Sequence, residues 1–522
     1  MKIYFEGIGA RTLASTRGDL LASQQTQCPP DPDPDPDPNP DPEQCPKELE
    51  HFSHTTTDFW QSLEETIWQP DRTFYQPSEL YRHEYTHEYT LVCAPTDSGR
   101  IAVLDKDATT LLRRFRSPIS LADLSRRMPE WSLTRLEKML KIFYALGFLA
   151  THEERVLKPE RATERILSAW IHITNSCNLR CSYCYLTKTS EHMSDNTAKR
   201  AVDAVFRSAR THGFKHVLLR YAGGEASMRA DSVIAIHDYA LQLARDYHIQ
   251  LRGSLLSNGV FLSSSFVDDL RERQIRIGIS LDGIGDTHDR QRAFLNGRAS
   301  FRLVDRMIAR LLDAGFPPSI MITISGRNLS GLPALVEYIL DRDLAFSCSY
   351  YRENDNSATF QDLQFEEAQI IDAMRTTFSI IESRLPAMSL LNSLLDKASL
   401  YGTHNHACSA GHDYLVIDQH GGIAKCQADI AHTITSIDVD DPLQAIRDDR
   451  TTFQNLPVDE KEGCRNCIWR KWCSGGCSLH TYRATGRNDI KSPNCNIYQT
   501  LFPDVLRLEA LRLQRYVPPV II

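Results

Sequence analysis

The sequence predicts an α/β protein built on a parallel sheet, and three observations carry that expectation. From Arg165 onward, short apolar strands alternate six times with amphipathic helices. Candidate chemical motifs fall at the C-terminal ends of those strands. Ten of the fourteen cysteines gather in two groups, 177–184 and 408–495, instead of spreading through the chain. The expected strands are 169–173, 216–221, 250–257, 276–281, 319–325 and 345–350. The helices between them are 195–210, 230–247, 264–273, 300–314 and 332–342. Six such units imply a parallel sheet with right-handed crossovers, as an open sheet or an incomplete barrel. In these folds, ligands collect at the C-terminal strand ends.

At 522 residues the chain is long enough for two to four domains, and its 42% hydrophobic and 24% charged residues suit a soluble globular protein. No apolar run is long enough to span a bilayer and no signal-peptide pattern opens the chain, which points to the cytoplasm. Without export, clustered cysteines read as metal ligands rather than disulfides. A net charge of −8 leaves no basic footprint for nucleic acid.

Residues 1–85 read as an extension, with one weak amphipathic helix in 1–28. A run of alternating Asp and Pro follows between Cys28 and Cys45. Proline at alternate positions forbids a helix and favours a stiff, solvated spacer. Residues 86–155 read as a small module. A hairpin of 88–93 and 100–104 turns across Pro-Thr-Asp-Ser-Gly, three helices follow at 105–115, 120–128 and 132–146, and 148–150 ends it as a wing strand. This pattern resembles the PqqD-like winged-helix module. The resemblance implies recognition of the leader of a precursor peptide, added as a strand to the sheet edge. A generic winged helix is the plainer reading.

After the first strand of the α/β region comes Cys177-Asn-Leu-Arg-Cys181-Ser-Tyr-Cys184. Three thiolates in one short loop can bind three irons of a [4Fe-4S] cubane and leave the fourth open. Zinc prefers four closed ligands, and no fourth of suitable spacing lies nearby. The loop, with Tyr183 before its last cysteine, resembles the signature of radical S-adenosylmethionine (SAM) enzymes, over 165–390. The resemblance implies a partial (β/α)6 TIM-type barrel, with SAM chelated at the open iron and cleaved there to a 5′-deoxyadenosyl radical. It also implies SAM contacts. Gly223-Gly224-Glu225 would take the amino group, Ser257-Asn258 the ribose, Ser280 and Asp282 further polar contacts, and Arg292 (or Arg290) the carboxylate.

The distal block runs Cys408, Cys426, Cys464, Cys467, Cys473, Cys477, Cys495. It resembles the SPASM extension of peptide-modifying radical SAM enzymes, here 400–500, followed by a C-terminal helix or tail at 501–522. The resemblance implies two auxiliary [4Fe-4S] clusters, three in all. One would lie on Cys464, Cys467, Cys473 and Cys495, the other on Cys408, Cys426 and Cys477. Seven cysteines serve eight positions, so one iron would be open or completed by His412, Asp413, Cys348, a water or the substrate.

Together these parts imply an enzyme that modifies a ribosomally made precursor peptide or small protein by hydrogen abstraction and an oxidative C–S or C–C cross-link. A reductant such as flavodoxin or ferredoxin would supply electrons. One alternative is an anaerobic sulfatase maturase, which makes formylglycine. Those enzymes place an aspartate directly after the cysteine matching Cys426, where this chain has Gln427. A peptide-binding or electron-transfer iron–sulfur protein is the alternative outside enzymes.

Overall fold

The computed structural model of the chain describes residues 1–6, 72–77, 79–151 and 165–522. The Asp-Pro run with Cys28 and Cys45, and the weak helix expected before it, lie outside the described residues. The chain divides into two units, one of Met1–Cys93, Ile101–Lys158 and Tyr516–Ile522, the other of Ala94–Arg100 and Pro159–Arg515. Among the described residues, no helix is long and apolar enough to cross a membrane.

The first unit holds strands β1 (Lys2–Tyr4), β2 (Thr73–Tyr75), β3 (Tyr81–Glu84), β4 (Tyr89–Cys93), β5 (Ile101–Asp105), β6 (Ile119–Ser120) and β7 (Ala150–Thr151). Its helices are α1 (Lys106–Arg113), α2 (Leu121–Arg127) and α3 (Leu133–Ala145). Asp105, Ser120 and Ser132 cap these helices, each side chain accepting a backbone N–H of the first turn. The β4–β5 hairpin pairs Tyr89 with Asp105 through to Cys93 with Ile101, and both strands are buried along nearly their whole length. The last strand of the chain, β17 (Val520–Ile521), pairs with β1, and β1 with β5. A five-stranded sheet therefore runs β17-β1-β5-β4-β3. The expected wing residues instead form β7 on β2, in a separate three-stranded sheet β6-β2-β7.

In the second unit, six parallel strands lie side by side in chain order: β8 (Ile166–Thr174), β9 (His216–Gly223), β10 (Gln250–Ser257), β11 (Ile275–Ser280), β12 (Ser319–Ile324) and β13 (Phe346–Tyr350). Burial of both faces explains the near-continuous apolar run of β8, where eight of nine residues are buried. Between them lie α4 (Asp195–Thr211), α5 (Ala230–Asp246), α6 (Ser264–Glu272), α7 (Phe301–Asp313) and α8 (Leu332–Leu340), then α9 (Glu367–Ser383). Ser194 and Ser263 cap α4 and α6. At α7 the capping group comes from elsewhere, since Asp289 Oδ1 accepts the amides of Ser300 (2.7 Å) and Phe301 (2.8 Å).

The sheet does not stop at β8. Strand β14 (Tyr414–Ile417) adds to it in parallel, aligning Tyr414 with Ser168 and Ile417 with Ile171. Strands β15 (Gly422–Ala424) and β16 (Thr435–Ser436) then follow antiparallel, giving nine strands in all. Helices α10 (Pro442–Asp448), α11 (Ser478–Thr485) and α12 (Cys495–Tyr516) complete the unit's distal part.

Candidate active site

Cys177, Cys181 and Cys184 lie in the loop that follows β8. The loop is fastened to the segment carrying Arg292: the Arg180 amide donates to Ala293 O (2.8 Å) and that of Ser182 to Gln291 O (3.0 Å). Burial pushes the Cys181 thiol up to about 12 and raises that of Cys177. Against this, the Lys188 ammonium donates to Cys184 Sγ at 3.0 Å, and its charge also opposes the rise at Cys177. Cluster ligands must be deprotonated, so a cation beside the loop favours the state that binds iron.

The residues expected around SAM do come together at the strand ends. Glu225 is buried, and its carboxylate accepts from Ser257 Oγ (2.9 Å), the Asn258 amide (2.7 Å) and the Ser227 amide (3.2 Å). A carboxylate has about four acceptor sites, so one remains for an ammonium. Asn258 Nδ2 donates to Asn178 Oδ1 in the cysteine loop (2.7 Å). Ser280 ends β11. Just beyond it, Tyr183 Oη donates to Asp282 Oδ2 (2.6 Å) and accepts from Arg292 Nη1. Arg292 also lies 3.6 Å from Asp282, and its buried Nε has no hydrogen-bond partner. An unpaired buried guanidinium donor suits the expected carboxylate of SAM. Arg290, the other candidate, is turned to the carbonyl of Arg327.

The two glycines pass close to the backbone before Cys177. A Cβ at Gly223 would meet Thr174 O at 2.4 Å, and one at Gly224 would meet Ser176 O at 2.3 Å. The amides of Gly224 and Glu225 donate to Thr174 O (2.6 Å) and Ser176 O (2.9 Å). Glycine is needed here so that β9 can close on the chain's own backbone beside Cys177.

The distal cysteines meet this loop through the segment after β13, where Arg352 Nε donates to Cys477 Sγ and Asn356 Nδ2 to Tyr185 O. Cys408 precedes the β14–β15 hairpin, Cys426 follows it, and the hairpin lies next to β8. Cys408, Cys426 and Cys477 pack in one small cluster with Ala410, Phe453 and Leu479. Tyr185 is half-buried near both Cys184 and Cys426, and desolvation and those thiolates push its phenol well up. Cys464, Cys467 and Cys495 form a second neighbourhood around Cys473, whose thiol burial pushes up to about 12. Among the described residues, no three His, Cys, Asp or Glu side chains converge to the distance of a single ion.

Lys461 supports the fit of anionic clusters to these two neighbourhoods. It is 1% exposed, and its ammonium donates to Ser474 O (3.0 Å) inside the turn joining Cys473 to Cys477. Ser474, Gly475 and Gly476 of that turn all have positive φ, and a Cβ at Gly475 would strike the lysine stem. Burial lowers the Lys461 pKa, while Cys464, Cys408, Cys473 and Cys477 raise it. A buried ammonium requires anions, and thiolates of both groups supply them. Of the candidates for the missing ligand, Asp413 pairs with Arg447 (2.7 Å) and Arg165 (2.9 Å). His412 Nε2 lies 3.0 Å from Asn455 O, and Cys348 is buried on β13.

Lys188, Arg352, Asp396 and Lys461 were not singled out from the sequence. Lys188 had a readable signal, a cation four residues after Cys184. The others are brought to their cysteines by folding alone.

A parallel sheet with a three-cysteine loop at the end of its first strand defines the class. Residues 171–339 match the family model of the radical SAM superfamily, and the chain carries that domain, whose cofactors are a [4Fe-4S] cluster and SAM. An uncharacterized protein of Methanocaldococcus jannaschii is 26% identical over 171 residues, 33% of this chain and 57% of that protein. The chain thus spans little more than half the length of that relative. A cysteine-type anaerobic sulfatase-maturating enzyme of Clostridium perfringens is 20% identical over 335 residues, 58% of this chain and 86% of that enzyme. The solved structure of native anSMEcpe with bound AdoMet and Cp18Cys peptide shares the fold. It has a TM-score of 0.54 and 18% identity, covering 67% of this chain and 99% of that one.

Proposed function

We propose that the chain is a radical SAM maturase of a ribosomally made peptide or small protein, closing an oxidative C–S or C–C cross-link. The observation that carries this reading is the segment after β13, where Arg352 donates to Cys477 Sγ while Asn354 and Asn356 donate to the carbonyls of Tyr183 and Tyr185 at the Cys177–Cys184 loop. Cys177, Cys181 and Cys184 would hold the SAM cluster, and Glu225, Asn258 and Arg292 would hold SAM. Cys408, Cys426 and Cys477 would hold one auxiliary cluster, and Cys464, Cys467, Cys473 and Cys495 another. Bound there, the cluster and SAM supply hydrogen abstraction from an unactivated carbon. Closing a cross-link removes two hydrogens from the peptide, so an electron must leave, and the auxiliary clusters are its exit. Three observations support the choice. The related solved structure holds a peptide. Gln427, in the position of the maturases' aspartate, accepts from Tyr414 Oη (3.1 Å), and Asp429 is tied to Arg483 (2.8 Å). Asp413 is occupied by two arginines, which removes one candidate for the fourth ligand at Cys408, Cys426 and Cys477.

The first unit would be the PqqD-like leader-binding module, with β3 and β17 at the ends of its described sheet. The chain would work in the cytoplasm with a flavodoxin or ferredoxin as reductant.

Anaerobically reconstituted protein should hold about twelve irons, release 5′-deoxyadenosine, and remove two hydrogens from its peptide by mass spectrometry. The leaderless peptide should be modified poorly and recover when the leader is added separately. Formylglycine in the product, or a peptide of unchanged mass despite SAM cleavage, would refute the cross-linking reading.

A further inference from the structure

Arg352 leaves the end of β13 and reaches the distal cysteines. Its Nε–H donates to Cys477 Sγ at 3.1 Å, Nη1 to Tyr350 O at 3.0 Å, and Nη2 to the carboxylate of Asp396 at 2.6 Å. The Asp396 side chain is 2% exposed. The same segment reaches the other cysteine loop: Asn354 Nδ2 donates to Tyr183 O (3.3 Å) and Asn356 Nδ2 to Tyr185 O (2.9 Å), on either side of Cys184. Arginine fits this place because its planar fork serves a sulfur and a carboxylate from separate nitrogens held in a fixed geometry, which the single ammonium of a lysine does not reproduce.

We propose that Arg352 sets the reduction potential of the cluster held through Cys477, its guanidinium favouring the reduced state and Asp396 opposing it. The inference rests on the reading that Cys408, Cys426 and Cys477 hold a cluster. Reduction adds one negative charge to a cluster. A cation donating to a ligand sulfur in a low-dielectric site stabilises that charge, and an anion behind the cation weakens the effect. Arg352 acts through Cys477, so it is a positioning residue. It would make this cluster the better acceptor of the electron that leaves the substrate.

The test is a dithionite titration with redox mediators, followed by electron paramagnetic resonance. It uses the full-length reconstituted chain with Cys177, Cys181 and Cys184 all changed to Ala, so that the auxiliary signals stand alone. Arg352→Gln should lower the reduction equilibrium constant of one auxiliary cluster about tenfold, 59 mV for one electron. The other cluster should stay unchanged. Asp396→Asn should move the same signal in the opposite direction, a sign that mere loosening of the site would not produce. Arg352→Lys, which keeps the charge but not the fork, should fall between wild type and Arg352→Gln. It also serves if the glutamine variant fails to fold. Shifts of the same sign in Arg352→Gln and Asp396→Asn, equal shifts of both clusters, or no shift would overturn the proposal. Absence of iron from the triple-alanine chain would instead overturn the reading beneath it.

Discussion

A methyl group added at Gly224 would lie 2.3 Å from the Ser176 carbonyl oxygen and 2.6 Å from that of Asn175. Both obstacles are backbone just before Cys177, so the loop must move. Gly224→Ala is expected to cost about 1–3 kcal/mol and to strip iron from the cluster proposed on Cys177, Cys181 and Cys184 while iron proposed on the distal cysteines stays. Gly402→Ala, whose Cβ meets nothing within 4 Å, is the control. Iron content and urea unfolding of the two variants check this. Lys188 offers a second test, since its charge opposes the burial that raises Cys177. Removing a cation raises a thiol's pKa. Reconstitution of the first cluster in Lys188→Met should therefore need a higher pH than in wild type, seen as an alkaline shift of the rate profile. An unshifted profile would count against a role for Lys188 in thiolate formation.

The segment that leaves β13 connects with both cysteine loops, and its asparagines bear on the first. Replacing Asn354 and Asn356 by Ala removes two hydrogen bonds to the carbonyls around Cys184, each worth about 0.5–1.5 kcal/mol. The expected result is faster amide exchange across 181–186 and faster loss of one cluster to a chelator, with the auxiliary clusters retained. Equal loss from the proposed auxiliary clusters would mean that the asparagines support the fold at large. The strands and helices themselves were legible. Ser319–Ile324 and Gln250–Ser257 lie within a residue of expectation, because buried parallel strands are short apolar runs bounded by capped helices. At α7 the boundary was legible but its cap was not, since Asp289 precedes the helix by many residues.

Buried neutral histidines make the molecule sensitive to acid. Burial lowers His237 to about 4 and His288 to about 3, and His237 Nδ1 shares a hydrogen bond with Tyr221 Oη. Between the unfolded value near 6.5 and these folded values, the unfolded chain binds more protons. This stability is fully present above pH 6.5 and is lost as pH falls toward the folded values, by about 1.4 kcal/mol per pH unit for each group. His237→Gln should remove one proton's share of that slope. Its urea midpoint relative to wild type should therefore rise between pH 7 and pH 5. A constant difference across that range would show that His237 does not titrate on unfolding.

The amino-acid order alone determined the six-fold β/α alternation, the Cys177–Cys184 loop at the end of the first strand, and the grouping of the distal cysteines. Each is a local property, written in hydrophobic period or in spacing along a few residues. The first unit shows where that reading stops. The hairpin and three helices at 86–150 were legible, but the pairing of β1 with both β5 and β17 was not, because two- and three-residue strands carry no period of their own. Tertiary structure likewise decided that β14 joins β8 in parallel and extends the sheet. It also decided that Gly224 meets the backbone before Cys177, that Arg352 reaches both Cys477 and Asp396, and that Lys461 reaches the turn before Cys477. Such contacts join residues far apart in the chain, and their partners are selected by burial and charge in the folded interior, which no local pattern records.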